Sequence, residues 1–165
     1  MFQTYANYCI KIDENVAFSS NDINESKVID SLLAANVTTK YEMDQLIKFE
    51  YSKNFCDDGI VLSPGEAQKL NMARSFYHDS QIYIFDEPSA SLDAKSEQDV
   101  FKSVFEHVRN KSIILISHRL SNLKCVERIM FIEDGSVIEC GNHEELMKKQ
   151  GEYYKLFNIQ SSGYN

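Results

Sequence analysis

The chain has 165 residues, 43% of them hydrophobic, and a net charge of −8. It can therefore bury one real core, and it lacks the basic clusters that nucleic-acid phosphates or an anionic membrane surface reward in a partner. Its apolar runs, such as residues 82–85 and 113–116, are only four residues long, far short of the roughly twenty that cross a bilayer as a helix.

Residues 1–20 read as an irregular lead-in that ends in a short apolar segment. Residues 24–35 place Val28, Ile29, Leu32 and Leu33 at helical spacing, which predicts a small helical lobe. Residues 37–59 have weak periodicity, with one short helix expected around 43–49 before Asp57-Asp58-Gly59 breaks the pattern. At Ser63-Pro64-Gly65-Glu66 the signal sharpens. Ser caps a helix, Pro suits its first position, and Glu three residues on completes a capping box. The helix starting there would bury Ala67, Leu70, Ala73 and Phe76 or Tyr77, and stop at His78-Asp79-Ser80.

Residues 82–85 then read as a buried strand, and residues 95–109 as a helix with a stripe of Val100, Phe101, Val104, Phe105 and Val108. Residues 113–116 form a second buried strand. Strands alternating with helices imply an α/β fold of parallel β-α-β units covered on both faces. Residues 129–132, the Asp134-Gly135 turn and Val137-Ile138 read as a β-hairpin. Asn142 caps a final helix with Glu144 and Glu145 in its first turn and Leu146 and Met147 in its body. Residues 1–60 hold ten Asp/Glu against five Lys, a charge asymmetry that fits two lobes.

Cys9, Cys56, Cys125 and Cys140 are far apart and form no C-x-x-C pair, so neither a zinc site nor a disulfide framework is expected. The opening MFQTYANYCIK lacks the basic flank and apolar stretch of a secretory signal. Reduced thiols in the cytosol are the expectation, with membrane attachment only through a partner.

Three short segments carry chemistry. Residues 82–85 run into Asp86-Glu87-Pro88, and phosphate-loop ATPases need an acid at such a strand end, one carboxylate for Mg²⁺ and one for the attacking water. An acidic turn after a strand is also an ordinary structural ending. LSPGE at 62–66 gives a helix start with a free hydroxyl and exposed N–H groups, which suits phosphate oxygens but equally suits a plain capping box. His118 directly follows a predicted strand, where ligands bind in open α/β sheets and an imidazole can contact a γ-phosphate; a structural or solvent-facing histidine is the alternative. His78, His107 and His143 lack such a context and read as surface or helix-end residues.

Taken in order, LSPGE, IYIFDEP at 82–88, ASLD at 90–93 and ISHRL at 116–120 resemble the ATP-binding-cassette family, as its signature, Walker B, D-loop and H-loop. MFQ resembles the end of the strand carrying the Q-loop glutamine, here Gln3, and IDENVAF at 12–18 the T-x-x-E-N-I stretch that follows. The tail EDGSVIECGNHEELMKKQGEYYKLFNIQ resembles the end of exporter-type subunits. The resemblance covers almost the whole chain.

It implies an α/β fold: an incomplete P-loop NTPase (RecA-like) sheet flanked by helices, with a small α-helical signature subdomain. The implied division is a Q-loop lead-in over 1–20, a helical subdomain with the signature over 21–80, and a catalytic core over 81–165. It implies ATP and Mg²⁺ as cofactors. The implied partners are a second nucleotide-binding domain and the transmembrane domains of an exporter, with no nucleic acid and a cytoplasmic place peripheral to the membrane. Position by position, Gln3 would sense Mg²⁺ and the attacking water, Asp86 would bind the metal, Glu87 would be the general base, and His118 would contact the γ-phosphate. Ser63, Gly65 and Glu66 would close over the nucleotide of a facing subunit, and Asp93 would communicate across that interface.

The chain departs from the family pattern in four ways. Pro64 and Glu66 stand where the signature usually has Gly and Gln, which removes a backbone donor and puts a carboxylate near the nucleotide. Ala90 stands where the D-loop usually has Ser. No G-x-x-x-x-G-K-[ST] occurs among the 165 residues, so the chain by itself is expected to hold ATP weakly and to expose strand edges that promote aggregation.

Overall fold

The structure, a computed structural model, describes residues 8–18, 21–53, 57–89 and 92–162. Gln3, Cys56 and Ala90 lie outside the described residues. The chain divides into two compact units, Met1–Ile116 and Ser117–Asn165.

In the first unit, α1 (Ile12–Val16), α2 (Glu25–Ala34) and α3 (Met43–Leu46) precede the long helix α4 (Pro64–Tyr77). Then follow β1 (Ile82–Asp86), α5 (Ala94–His107) and β2 (Ser112–Ile116). α1 and α2 both pack on α4, which buries Ala67, Leu70, Ala73, Phe76 and Tyr77, the face that the apolar spacing predicts. Phe76 knits this helix to the sheet, with its ring edge-on to Tyr83 at 6.0 Å and Phe85 at 6.3 Å. Each large apolar side chain buried this way contributes about 1.5–3 kcal/mol. β1 and β2 pair in parallel, Ile84 opposite Ile114 and Asp86 opposite Ile116, as the strand–helix–strand order requires.

Several expectations change. The lead-in contains α1, with Ile12 and Val16 fully buried; five residues are too few for a periodicity window to register. The helix expected around 43–49 ends at Leu46. Val28 and Leu32 are buried in α2, but Leu33 is 55% exposed, because only one face of this short helix meets α4. Neither strand is buried on both faces. Tyr83 and Phe85 point into the core, whereas Ile82, Ile84, Ile114 and Ile116 are about half exposed. An apolar run shows that a strand exists, but which of its faces is covered depends on distant helices.

In the second unit, a 3-10 turn (Leu120–Cys125) leads into β3 (Ile129–Glu133) and β4 (Ser136–Gly141), an antiparallel hairpin. Asp134 and Gly135 adopt φ of 46° and 74°, the paired left-handed conformation that a two-residue hairpin turn demands. α6 (His143–Lys149) starts at Asn142 with a full capping box through Glu145. It is not the last helix, since α7 (Glu152–Ser162) follows. The Glu139 carboxylate of β4 accepts from the N–H groups of Glu152 at 2.6 Å and Tyr153 at 3.3 Å, a cap supplied from outside the helix's own sequence. Leu146 and Tyr153 are fully buried. His143 opens α6, in keeping with a helix-end residue, and its Nδ1 lies 2.8 Å from the Tyr153 hydroxyl. Among the described residues no helix is long and apolar enough to cross a membrane.

Candidate functional site

β1 carries Asp86 to its carboxyl end, and the chain turns sharply at Glu87. The Glu87 N–H extends the ladder by donating to the Ile116 carbonyl at 2.9 Å, and its φ is +47°. A non-glycine residue pays about 1–2 kcal/mol for that left-handed conformation, so tertiary contacts must hold it there. One is visible: the Gln68 side-chain amide donates to the Glu87 carbonyl at 3.2 Å. Gln68 is itself fully buried. Oε2 of Glu87 is shielded from solvent, while Asp86 is half-buried.

The first turn of α4 holds Ser63, Gly65 and Glu66. Ser63 Oγ accepts from the Glu66 N–H at 3.3 Å, and Glu66 Oε2 accepts from the Ser63 N–H at 2.7 Å. The Glu66 carboxylate is thus folded back onto the helix N-terminus, where the helix dipole favours negative charge. Pro64 occupies the opening position, where a missing N–H costs nothing.

Beyond β1, the Ser89 hydroxyl donates to the Glu97 carboxylate, and both side chains are buried. Asp93 caps α5 by accepting from the N–H groups of Lys95 and Ser96, each at 3.0 Å, and from the Ser96 hydroxyl at 2.6 Å. That hydroxyl, followed by the backbone donors, holds the Asp93 carboxyl below its usual range.

His118 belongs to the second unit and is exposed. Its carbonyl accepts from Gln160 Nε2 of α7 at 2.6 Å, while Gln160 Oε1 accepts from the Leu120 N–H at 3.0 Å. One amide therefore grips the backbone on both sides of Arg119.

Of the residues singled out in the sequence, Asp86 and Glu87 share the end of β1, Ser63, Gly65 and Glu66 share the first turn of α4, and Asp93 begins α5. Gln3 lies outside the described residues. Gln68, Glu97 and Gln160 were not foreseen. None of the three had a signal in its local sequence: Gln68 lies off the Ala67, Leu70, Ala73 and Tyr77 stripe of α4, where a polar residue reads as solvent-facing. Among the described residues no group of three or more His, Cys, Asp or Glu is placed to hold a metal ion. Mg²⁺ does not need one, because it is commonly held by one or two carboxylates together with substrate phosphates, and Asp86 suits that donor set.

In backbone shape the chain matches a solved bacterial Atm1-family ABC exporter with ATP bound, with a TM-score of 0.83 over 96% of this chain and 28% of that one, at 24% identity. In sequence it is 33% identical over 149 residues to an ATP-dependent lipid A-core flippase of Desulfotalea psychrophila, covering 90% of this chain and 26% of the flippase. It is 34% identical over 151 residues to the flippase of the same name from Wigglesworthia glossinidia brevipalpis, covering 90% and 25%. The chain belongs to the ATP-binding-cassette exporter family. It spans about a quarter of the length of the flippases that it matches, so within this family it corresponds to one part of an exporter. No family model matches it.

Proposed function

We propose that this chain is the part of an ATP-binding-cassette exporter's ATPase that clamps, hydrolyses and senses the nucleotide. It works against a second nucleotide-binding domain and on the transmembrane domains, from the cytoplasmic side of the membrane. In this reading β1 and β2 belong to a P-loop NTPase sheet, residues 21–80 are the signature subdomain, residues 1–20 lead in from the Q-loop, and residues 81–165 are the catalytic core.

The observation that supports it most is the Asp86-Glu87 pair, at the carboxyl end of a parallel strand pair with the Glu87 peptide anchored on both sides. Bound MgATP would supply the phosphoanhydride bond to be cleaved and a metal charge that offsets the negative charge of its phosphate oxygens. Asp86 is the carboxylate that holds the metal. Glu87 accepts the proton of the attacking water, and its partly shielded carboxylate keeps bulk solvent from competing for that role. Gln3 and His118 line the same nucleotide, His118 contacting the γ-phosphate. Ser63, Gly65 and Glu66 close over the nucleotide of the facing domain, where a hydroxyl and helix N–H groups suit phosphate oxygens. Asp93 stands at that interface.

The test is ATP hydrolysis by this chain combined with a domain that carries a phosphate-binding loop. Glu87→Gln should lower turnover by about 10²–10⁴-fold, the usual contribution of a general base. Turnover that survives Glu87→Gln unchanged but requires Ser63 would replace this reading with a non-catalytic module that lends its signature face to a complete partner.

A further inference from the structure

We infer that Gln68 is a positioning residue for Glu87, so that the direction of the Glu87 carboxylate is set from α4. The inference rests on the proposed role of Glu87 for its functional meaning, and on geometry alone for its structural content. Glu87 sits one residue past β1 in a left-handed conformation that an L-residue leaves readily when nothing opposes it. Its peptide is held from two directions. The N–H is tied to Ile116 of β2 at 2.9 Å, and the carbonyl is tied to Gln68 Nε2 of α4 at 3.2 Å.

Gln68 is fully buried, in a stretch of α4 where Ala67, Lys69, Leu70, Asn71, Met72 and Ala73 are buried as well. A buried amide is costly there unless it is hydrogen-bonded, and Met or Leu would fill the same space without that cost. What those side chains cannot do is donate to the Glu87 carbonyl. Releasing that carbonyl frees the peptide after Glu87 to rotate, and rotation re-aims the carboxylate even though no atom of Gln68 approaches the reacting groups.

The same helix begins at Ser63, Gly65 and Glu66. A tilt or shift of α4, imposed where its first turn meets a partner, therefore has a direct route to Glu87 through the Gln68 side chain, beside the packing of Phe76 on β1. α4 also bears Arg74, whose Nε donates to the Asn15 carbonyl at 2.8 Å. One helix thus bonds both to Asn15 and to the Glu87 peptide.

The experiment is NMR on the isotope-labelled chain without nucleotide. In the wild type, the Gln68 side-chain amide protons exchange slowly with solvent. Gln68→Met, of similar length but without a donor, moves the Glu87 carbonyl resonance upfield and leaves the Asp93–Ser96 cap resonances in place. In Gln68→Glu the Glu87 carbonyl shift becomes pH-dependent and returns toward the wild-type position in acid, where the introduced carboxyl regains a proton to donate. Solvent-rate exchange of the wild-type amide, or an unmoved Glu87 carbonyl in a folded Gln68→Met chain, overturns the inference.

In the hydrolysing assembly, Gln68→Met should lower kcat about ten- to a hundredfold, as a misplaced catalytic group does, with KM unchanged. Wild-type kcat in Gln68→Met, in an assembly that Glu87→Gln silences, also overturns it. If Glu87→Gln silences nothing, the proposed function fails, and the NMR result decides the positioning claim separately.

Discussion

Arg74 and Asn15 are joined by two hydrogen bonds, Nε to the Asn15 carbonyl at 2.8 Å and a terminal nitrogen to Asn15 Oδ1 at 3.3 Å. Asn15 is completely buried, and its amide also donates to the carbonyls of Tyr8, Ile10 and Lys11. The guanidinium lies 5.7 Å from the Tyr8 ring centroid and 5.5 Å from that of Phe18, and the two rings stack on each other at 4.8 Å. One helix thereby organises the whole of residues 8–18. Burial lowers the Arg74 pKa, but guanidinium basicity keeps the group charged.

Asn15→Ala removes the centre of this network and strands backbone acceptors in a buried site. It should lower the unfolding free energy by about 1–3 kcal/mol, measured by denaturant titration. Arg74→Lys should not restore wild-type behaviour, because an ammonium cannot reproduce a planar fork lying against two rings. Wild-type stability in Asn15→Ala would mean that the cluster contributes nothing net.

The capping box at Ser63 is a purely local device, so its energetic effect can be isolated. Ser63→Ala should cost about 1 kcal/mol of stability. Glu66→Gln can still accept from the Ser63 N–H and should stay within about 0.5 kcal/mol of the wild type. A Glu66→Gln chain as unstable as Ser63→Ala would show that charge at the helix N-terminus, not the hydrogen bond, supplies the stabilisation.

The exposed isoleucines make a prediction about association. Ile84 and Ile114 are register partners, and with Ile82 and Ile116 they form one apolar face, each 48–59% exposed. Among the described residues the β1–β2 pair has no further strand beside it. Apolar faces and open edges both promote association. The isolated chain should gain mass with concentration in sedimentation, and the Ile84→Thr, Ile114→Thr double variant should run closer to a monomer. A wild-type monomer at every concentration with a sharp cooperative melt would refute this.

Acid should weaken the first unit through Asp79. The hydrogen bond and ion pair with Lys111 lower the Asp79 pKa. The unfolded chain therefore binds the proton more readily, and stability rises with pH between the two values. The contribution is complete above the unfolded carboxyl's pKa of about 3.9 and is lost as pH falls through the lower folded value. Asp79→Asn should be less stable than the wild type at neutral pH, with the gap closing in acid and narrowing with added salt. A gap that widens in acid would reverse the assignment.

Much of the local architecture was legible in the residues themselves. The start of α4 at Ser63-Pro64, its end at His78, the hairpin at Asp134-Gly135 and the Asn142 cap all follow from hydrogen bonds that close within three or four residues. Asp86-Glu87 was legible for a different reason, as an acidic turn ending an apolar run. α7 was missed because its cap, Glu139, comes from a strand rather than from the residues just before the helix.

By itself, then, the sequence determined the elements whose stabilising partners are near neighbours along the chain, together with the ordered motifs that mark the family. Tertiary structure alone decided which face of β1 and β2 is covered and how the backbone at Glu87 is held. It also decided which amides grip the candidate residues. Gln68 reaches Glu87 across 19 positions and Gln160 reaches His118 across 42. No local propensity encodes such contacts, because they exist only once helix packing has fixed where each amide finds its partner.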